Sequence, residues 1–503
     1  MTIKSLLDLR TLGQLRAAEY KVLSVKDEIR KNLITKLRNR EKIFSGIIGY
    51  DETVIPELCN AILSRHDFIL LGLRGQAKSR ILRALPDLLD EYVPILKGSE
   101  INDNPFAPVS KYGVEMINEA GDHAEIEWIG RDRRYGEKLA TPDVTIADLI
   151  GDIDPIKAAA QRLHYAHEGI IHFGIIPRTN RGIFAINELP DLQPRIQVGL
   201  FNVMQEKDIQ IRGFPIRIPL DVMIVYTANP EDYTNRGNII TPLKDRIGSQ
   251  IHTHYPRTIE IGMQITAQEA WIKRESAPVK ILYFLRQGIE QVAVEARKSE
   301  FVDQKSGVSA RLTISFLENL VSNAERRSYV TGDSELVPRI CDLYAALSAV
   351  TGKIELVYEG EQEGVANVSK GLMGKALKQI FLSYFPDPYV AMKKTNHDYQ
   401  KVVAWFKHDR KVDISDALSN ADYVKTLNSV EGLKDLTLKY LPGTRDMSPV
   451  QLAVGMEFVL EGLHQNSMLS RDEVGPVRTY SDMLNRMFSN LKREPDEDDE
   501  EEA

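Results

Sequence analysis

Between Ile47 and about Pro256, short unbroken apolar runs alternate with stretches whose apolar residues recur every three or four positions. The runs are Phe68-Ile69-Leu70-Leu71, Ile183-Phe184-Ala185-Ile186 (opened by Gly182), and Val222-Met223-Ile224-Val225-Tyr226. Runs of this length without polar alternation suit strands buried on both faces of a parallel sheet. Strands alternating with helices predict a three-layer α/β domain. From about Thr258 the spacing becomes helical: Leu282, Leu285, Ile289 and Val292 step by three or four, as do Phe316, Leu317, Leu320 and Val321. That texture continues to about Lys492 and predicts helices throughout. Residues 1–43 also read as helical. The chain therefore divides into a helical start (1–43), an α/β core (44–257), two all-α regions (258–360 and 361–493) and a short tail (494–503).

The first run feeds a loop of distinctive chemistry. Residues 68–80 read FILLGLRGQAKSR, and a helical pattern follows through Ile81, Leu82, Leu85 and Leu88. Gly72, Gly75, Gln76, Ala77, Lys78, Ser79 and Arg80 nearly complete the pattern G-x-x-x-x-G-K-[ST] of a phosphate-binding loop. Such a loop turns backbone N–H groups inward around phosphates, extends a lysine to the β and γ oxygens, and offers a hydroxyl to Mg²⁺. Lys78 and Ser79 have the right types at the right spacing. Ala77 replaces the last glycine, and its methyl is acceptable if the backbone there keeps φ negative.

The other two runs end in polar residues, as strands beside such a loop should. One ends at Asn187-Glu188, where Glu188 can polarise a water for attack on the γ-phosphate. Asn187 stands where a magnesium-side residue would. The other ends at Thr227 and Asn229, and a neutral amide there can orient the same water without competing for the metal. Farther on, Lys244-Asp245-Arg246 and Ser309-Ala310-Arg311 supply guanidinium groups of the kind that stabilise charge in phosphoryl transfer.

Bulk composition narrows the picture little. Net charge is −8, yet the last ten residues, EPDEDDEEEA, hold eight acids and no base. That leaves 64 acidic against 64 basic residues elsewhere, so no basic excess favours nucleic acid. The tail repels itself and reads as disordered. Cys59 and Cys341 are far apart and fit neither a disulfide framework nor a zinc ribbon. No stretch approaches an apolar span of about 20 residues, and no secretory apolar core opens the chain, so a cytoplasmic protein is expected. Five histidines lie between 164 and 254; ordinary surface or core roles are expected for them, rather than a transition-metal site.

Taken in order, these stretches resemble an AAA+ ATPase, and within that class the magnesium chelatase ATPase subunit and the MoxR-type ATPases. The carrying segments are GIIGYDE before the first strand, NPFAP at 104–108, IGDIDPIKAAAQ at 150–161, FGIIPRTNRGIFAINE at 173–188, FNVMQEKDIQIRG at 201–213, TANPED at 227–232 and LKDRIG at 243–248. The resemblance covers roughly residues 44–330. It implies a P-loop αβα core, a helical lid over 258–360 and a C-terminal helical extension for which it offers no counterpart. It implies ATP and Mg²⁺ as cofactors, with Ser79 and Asn187 on the metal. Glu188 matches the catalytic glutamate, Asn229 the first sensor, Arg246 the arginine finger given to a neighbouring subunit, and Arg311 the sensor-two arginine. It further implies a homo-oligomeric ring, commonly hexameric, and an insert around 140–178 that works on partners.

Two departures stand out. The family usually has aspartate where this chain has Asn187, and alanine at 77 is mild by comparison. Relatives work with a protein bearing a von Willebrand A-type metal site; here the nearest candidate, Asp413 with Ser415 and Ala417, lacks the second serine of D-x-S-x-S, so such a partner is expected to be a separate chain. There is no GAFTGA loop, which argues against a sigma-factor activator. The resulting expectation is an ATP-driven motor that remodels a partner protein or complex. The alternative is a nucleotide-gated scaffold with little turnover, its magnesium site weakened by Asn187. A DNA-handling motor finds no support in the balanced charge of the body.

Overall fold

A computed structural model describes residues 6–154, 170–211, 217–230, 238–275, 277–393, 398–407 and 410–483. The chain forms two compact units, Met1–Tyr255 and Pro256–Ala503.

The first unit is built on five strands: β1 (Phe68–Leu71), β2 (Tyr135–Leu139), β3 (Gly182–Asn187), β4 (Val222–Ala228) and β5 (Ser249–His252). They lie in the order β5-β1-β4-β3-β2, every pair parallel. The three central strands are the three apolar runs, because only they are covered on both sides. Ile69, Leu71, Phe184, Ile186, Ile224 and Tyr226 join one core. The alternate residues Phe68, Leu70, Ile183, Ala185, Met223 and Val225 join another. Strand periodicity thus sends successive side chains into two different layers. The edge strands β2 and β5 carry Glu137, Lys138, Gln250 and His252, so no unbroken run announces them.

Helix α1 (Val25–Arg38) belongs to the second of these cores through Val25, Ile29 and Leu33. Its Glu28 is buried against Arg134, whose Nη1 and Nη2 each donate to a carboxylate oxygen at 2.7 Å. Arg134 Nε also donates to the Arg181 carbonyl at 2.7 Å. Arg134 directly precedes β2 and Arg181 directly precedes β3, so this one ion pair fixes the starts of both strands. Helix α2 (Lys78–Ala84) follows the β1 loop, and α3 (Thr241–Arg246) leads into β5.

In the second unit one apolar core runs from Leu282 to Tyr480, on both sides of residue 360. Its main helices are Tyr283–Ala296, Arg311–Thr331, Val365–Tyr384 and Pro449–Gln465. The helix-only expectation for 361–493 needs one correction. Val412–Ser415, Val477–Ser481 and Ser470–Val474 form an antiparallel three-stranded sheet. Val474 pairs with Val477 across a two-residue Gly475-Pro476 turn, with Gly475 at φ +59°, a hairpin geometry that demands glycine. These strands are short and mostly polar, so helical periodicity around them masks the turn. The tail 494–503 lies outside the described residues, as does 155–169 within the expected insert. Among the described residues no helix is long and apolar enough to cross a membrane.

Candidate functional site: a phosphate loop beside two polar strand ends

The loop springs from the middle of the sheet. Gly72 N–H donates to the Ala228 carbonyl at the end of β4 (3.2 Å), and Thr253 N–H donates to the Leu71 carbonyl (2.8 Å). A Cβ at Gly72 would lie 1.9 Å from Thr253 Oγ1 and 2.2 Å from Gln76 Oε1, so any side chain there would displace both and break their hydrogen bond. Thr253 Oγ1 donates to Gln76 Oε1 at 2.8 Å and ties down the buried Gln76. Two tyrosine hydroxyls brace the backbone: Tyr50 donates to the Gln76 carbonyl (3.0 Å) and Tyr255 to the Arg74 carbonyl (3.1 Å).

Within this frame Gly75 and Ala77 both take left-handed conformations, at φ +76° and +56°. The condition under which alanine would sit here without strain, a negative φ, is therefore not met. An L-residue there costs about 1–2 kcal/mol, and the bracing around the loop holds it in place. Lys78 is buried, its Nζ donating to the carbonyls of Gly72 and Leu73. Ser79 is half-buried and Arg80 exposed. A glycine-built turn with a buried ammonium inside it fits the phosphates of a nucleotide.

The sheet order brings the other expected residues to the same end. β1, β4 and β3 are adjacent and parallel, so Lys78, Thr227 with Asn229, and Asn187 with Glu188 follow the C-terminal ends of three neighbouring strands. Hydrogen bonds join them. Glu188, left-handed at φ +54°, donates its N–H to Thr227 Oγ1 at 3.0 Å. Thr227 Oγ1 donates to Asn187 Oδ1 at 3.1 Å. Asn187 Nδ2 in turn donates to Glu137 Oε1, across to the edge strand β2. Glu137 also receives Arg83 Nε (2.8 Å), Arg83 Nη2 (3.0 Å) and the Tyr135 hydroxyl (3.3 Å). The Arg83 hydrogen bonds hold its carboxyl below the usual carboxylate range. Neither Glu137 nor Arg83 is legible as part of a site in the sequence, since the charged pair Glu137-Lys138 in YGEKL reads as an exposed edge.

Asn229 is half-buried just beyond β4. Arg246 lies elsewhere. It ends α3, three residues before β5 starts, and Gly248 N–H donates to the Asp67 carbonyl just before β1. It is therefore at the N-terminal end of the sheet, opposite Lys78. Its guanidinium donates to Gln205 Oε1 and to the Pro242 carbonyl, and lies 4.6 Å from the Phe201 ring centroid. Arg311 is exposed in the second unit, opening its helix with its N–H on Ser309 Oγ at 3.1 Å.

Among the described residues no cluster of three His, Cys, Asp or Glu side chains could hold a metal ion. His254 bonds to Thr53 Oγ1 and the Tyr255 carbonyl, both at 2.8 Å; His164 and His167 lie outside the described residues. Asp413 accepts from the Thr479 hydroxyl at 2.6 Å within the C-terminal sheet.

Over about half its length the chain matches one set of known proteins. It is 27% identical to magnesium-chelatase subunit ChlI of Nostoc sp. (strain PCC 7120) across 233 residues, 45% of this chain and 58% of that protein. It is 27% identical to the same-named subunit of Synechocystis sp. (strain PCC 6803) across 268 residues, 50% of this chain and 67% of that one. In sequence the chain resembles the magnesium-chelatase subunit ChlI. Relative to the chloroplastic subunit of Chlamydomonas reinhardtii, identity is 25% over 51% of this chain and 59% of the relative. The first of these relatives is thus spanned over little more than half its length. No family model matches. Among solved structures, a complex between subunits BchI and BchD of magnesium chelatase aligns at TM-score 0.34 and 20% identity, over 64% of this chain and 98% of that one. NtrX of Brucella abortus with ATP aligns at TM-score 0.34 and 13% identity, over 84% of this chain and 72% of that one. At such scores neither superposition adds weight. The AAA+ resemblance rests on sequence and on the sheet described above.

Proposed function

We propose that this chain is an ATP-hydrolysing ring motor of the magnesium chelatase and MoxR type that remodels or activates a partner protein or complex. The observation that carries this is the placement of Lys78, Thr227, Asn229, Asn187 and Glu188 at the ends of three adjacent parallel strands. In this reading Lys78 holds the β and γ phosphates and Gln76, Ala77 and Ser79 line their cradle. Glu188 accepts a proton from the attacking water while Asn229 orients it. Magnesium, when bound, would neutralise charge on the phosphates, held by the Ser79 hydroxyl and the Asn187 amide oxygen. Arg246 cannot turn to its own loop, so it serves the site of a neighbouring copy, which requires a closed head-to-tail assembly; we take this to be a hexamer. Arg311 acts as the lid sensor. A separate von Willebrand A-type chain as partner, a chaperone-like role and a cytoplasmic setting complete the proposal.

A second reading has one observation in its favour: position 187 is an uncharged amide. With a weakened magnesium site the ring would be gated by nucleotide binding and turn over little. Steady-state ATPase assays of wild type, Lys78→Ala and Glu188→Gln decide between the two. The motor requires magnesium-dependent turnover that Glu188→Gln abolishes while nucleotide binding persists. Wild type no faster than Glu188→Gln, under conditions that form rings, would leave the scaffold.

A further inference from the structure

Asn187 has a neighbour that changes what its amide can do. In the β2–β3 register Glu137 pairs with Ala185 and Leu139 with Asn187. Glu137 and Asn187 therefore stand diagonally on one face of the sheet. The Glu137 carboxylate is met by donors: Asn187 Nδ2, two Arg83 nitrogens and the Tyr135 hydroxyl.

This fixes the direction of each hydrogen bond along the row. A carboxylate only accepts, so Asn187 must turn its NH₂ toward Glu137 and its oxygen toward Thr227. The Thr227 hydroxyl already accepts the Glu188 N–H, so its single proton goes to Asn187 Oδ1. Asn187 Oδ1 consequently faces β4, on the side of the sheet where the phosphate loop begins. A carbonyl oxygen has two lone pairs, and one remains for a metal ion or its water. With a neutral residue at 137 the amide could rotate by half a turn. It would then present NH₂ to the same spot and repel a cation.

We propose that Glu137 is the anionic partner that makes Asn187 a divalent-ion position. Its carboxylate locks Asn187 Oδ1 toward the phosphate loop, and from one strand away it supplies the negative charge that an amide lacks. Glu137 is thus a positioning residue, and Glu137 with Asn187 divides between two strands what a single carboxylate at 187 would do. Arg83 meets the same carboxylate through two nitrogens, at 2.8 and 3.0 Å, and offsets part of its charge, so the first contribution of Glu137 is the orientation of the amide. This proposal rests on the nucleotide-site reading above.

The test uses the full chain with ADP and measures Mn²⁺ binding to the complex by electron paramagnetic resonance. ADP affinity in EDTA is measured separately. Glu137→Gln should weaken Mn²⁺ about tenfold or more, the usual effect of losing an outer partner of a metal ligand, and leave ADP affinity in EDTA unchanged. Asn187→Asp alone should bring two carboxylates into contact and share a proton between them, so its Mn²⁺ affinity should climb with pH. The exchange variant Glu137→Gln/Asn187→Asp should restore Mn²⁺ affinity to the wild-type level or better, because a glutamine amide on β2 can donate to a carboxylate on β3. Unchanged Mn²⁺ affinity in Glu137→Gln would overturn the proposal, as would an exchange variant as weak as Glu137→Gln. If Glu137→Gln does not fold, the exchange variant alone decides. Wild type that binds no ADP in EDTA would instead bring down the nucleotide-site reading, and this proposal with it.

Discussion

Arg246 and Lys78 sit at opposite ends of the same sheet, and that separation can be turned into a mixing experiment. β1 and β5 are parallel and in register, Phe68 with Ser249 and Leu71 with His252. Arg246 lies three residues before this ladder and Lys78 seven residues after it. At about 3.3 Å per residue the ladder alone spans about 13 Å, and the Arg246 guanidinium is turned to Gln205 and Pro242. Under the proposed function, an arginine that far from its own loop would act on another copy. Arg246→Ala should therefore cut turnover roughly 10³-fold or more, and Glu188→Gln should do likewise for a different reason. Mixed in equal amounts before assembly, the two variants should regain activity. An interface pairing an Arg246→Ala site with a finger from Glu188→Gln has every part, and random assembly makes about a quarter of interfaces of that kind. The assay is steady-state phosphate release across mixing ratios, with ring formation checked by light scattering. A mixture no faster than the mean of its parents, in rings shown to exchange subunits, would refute the assignment of Arg246 in trans.

Three further outcomes are expected. Ala77→Gly removes a left-handed penalty of about 1–2 kcal/mol against a glycine entropy cost of about 0.5–1 kcal/mol, so the first unit should gain up to about 1.5 kcal/mol, read from unfolding followed at Trp128; destabilisation would show that the loop does not strain Ala77. Burial pushes the Glu290 carboxyl from 4.5 up to about 7, so the folded chain keeps a proton that the unfolded chain releases. The stability that Glu290 contributes should then be fully present below pH 4.5 and fall by about 3 kcal/mol as pH rises to about 7, and Glu457, also pushed up to about 7 by burial, adds a slope of its own; Glu290→Gln should remove only its share of the fall in denaturant titrations followed at Trp271 and Trp405, and a slope as steep as that of wild type would rule the linkage out. Glu28→Gln strands the buried Arg134 guanidinium and should cost about 3–5 kcal/mol, whereas Glu28→Leu/Arg134→Met should cost far less; urea midpoints for both variants provide the check.

The central strands are legible because burial on both faces leaves an unbroken apolar run, and the phosphate loop because its residue types and spacing are dictated by the anion. The edge strands are not, since half-exposed positions accept charge, and Glu137 is hidden for that reason. Its role depends on the register of β2 against β3, which no local pattern encodes. Spacing puts Ala77 in the loop but leaves its backbone angle open: a methyl favours negative φ, while the loop braced by Tyr50, Thr253 and Tyr255 holds the opposite. In the second unit the hairpin at Gly475-Pro476 carries a readable turn, submerged in helical spacing on either side.

The single core from Leu282 to Tyr480 also says where this chain can be divided. The long helices before and after residue 360 contribute apolar side chains to the same interior, Leu285 and Phe316 alongside Phe381 and Phe458. A cut at 360 would leave each half with an uncovered oily face, and neither would be expected to stay soluble. Grafting, truncation or recombination of this protein should therefore keep residues 282–480 together as one cassette.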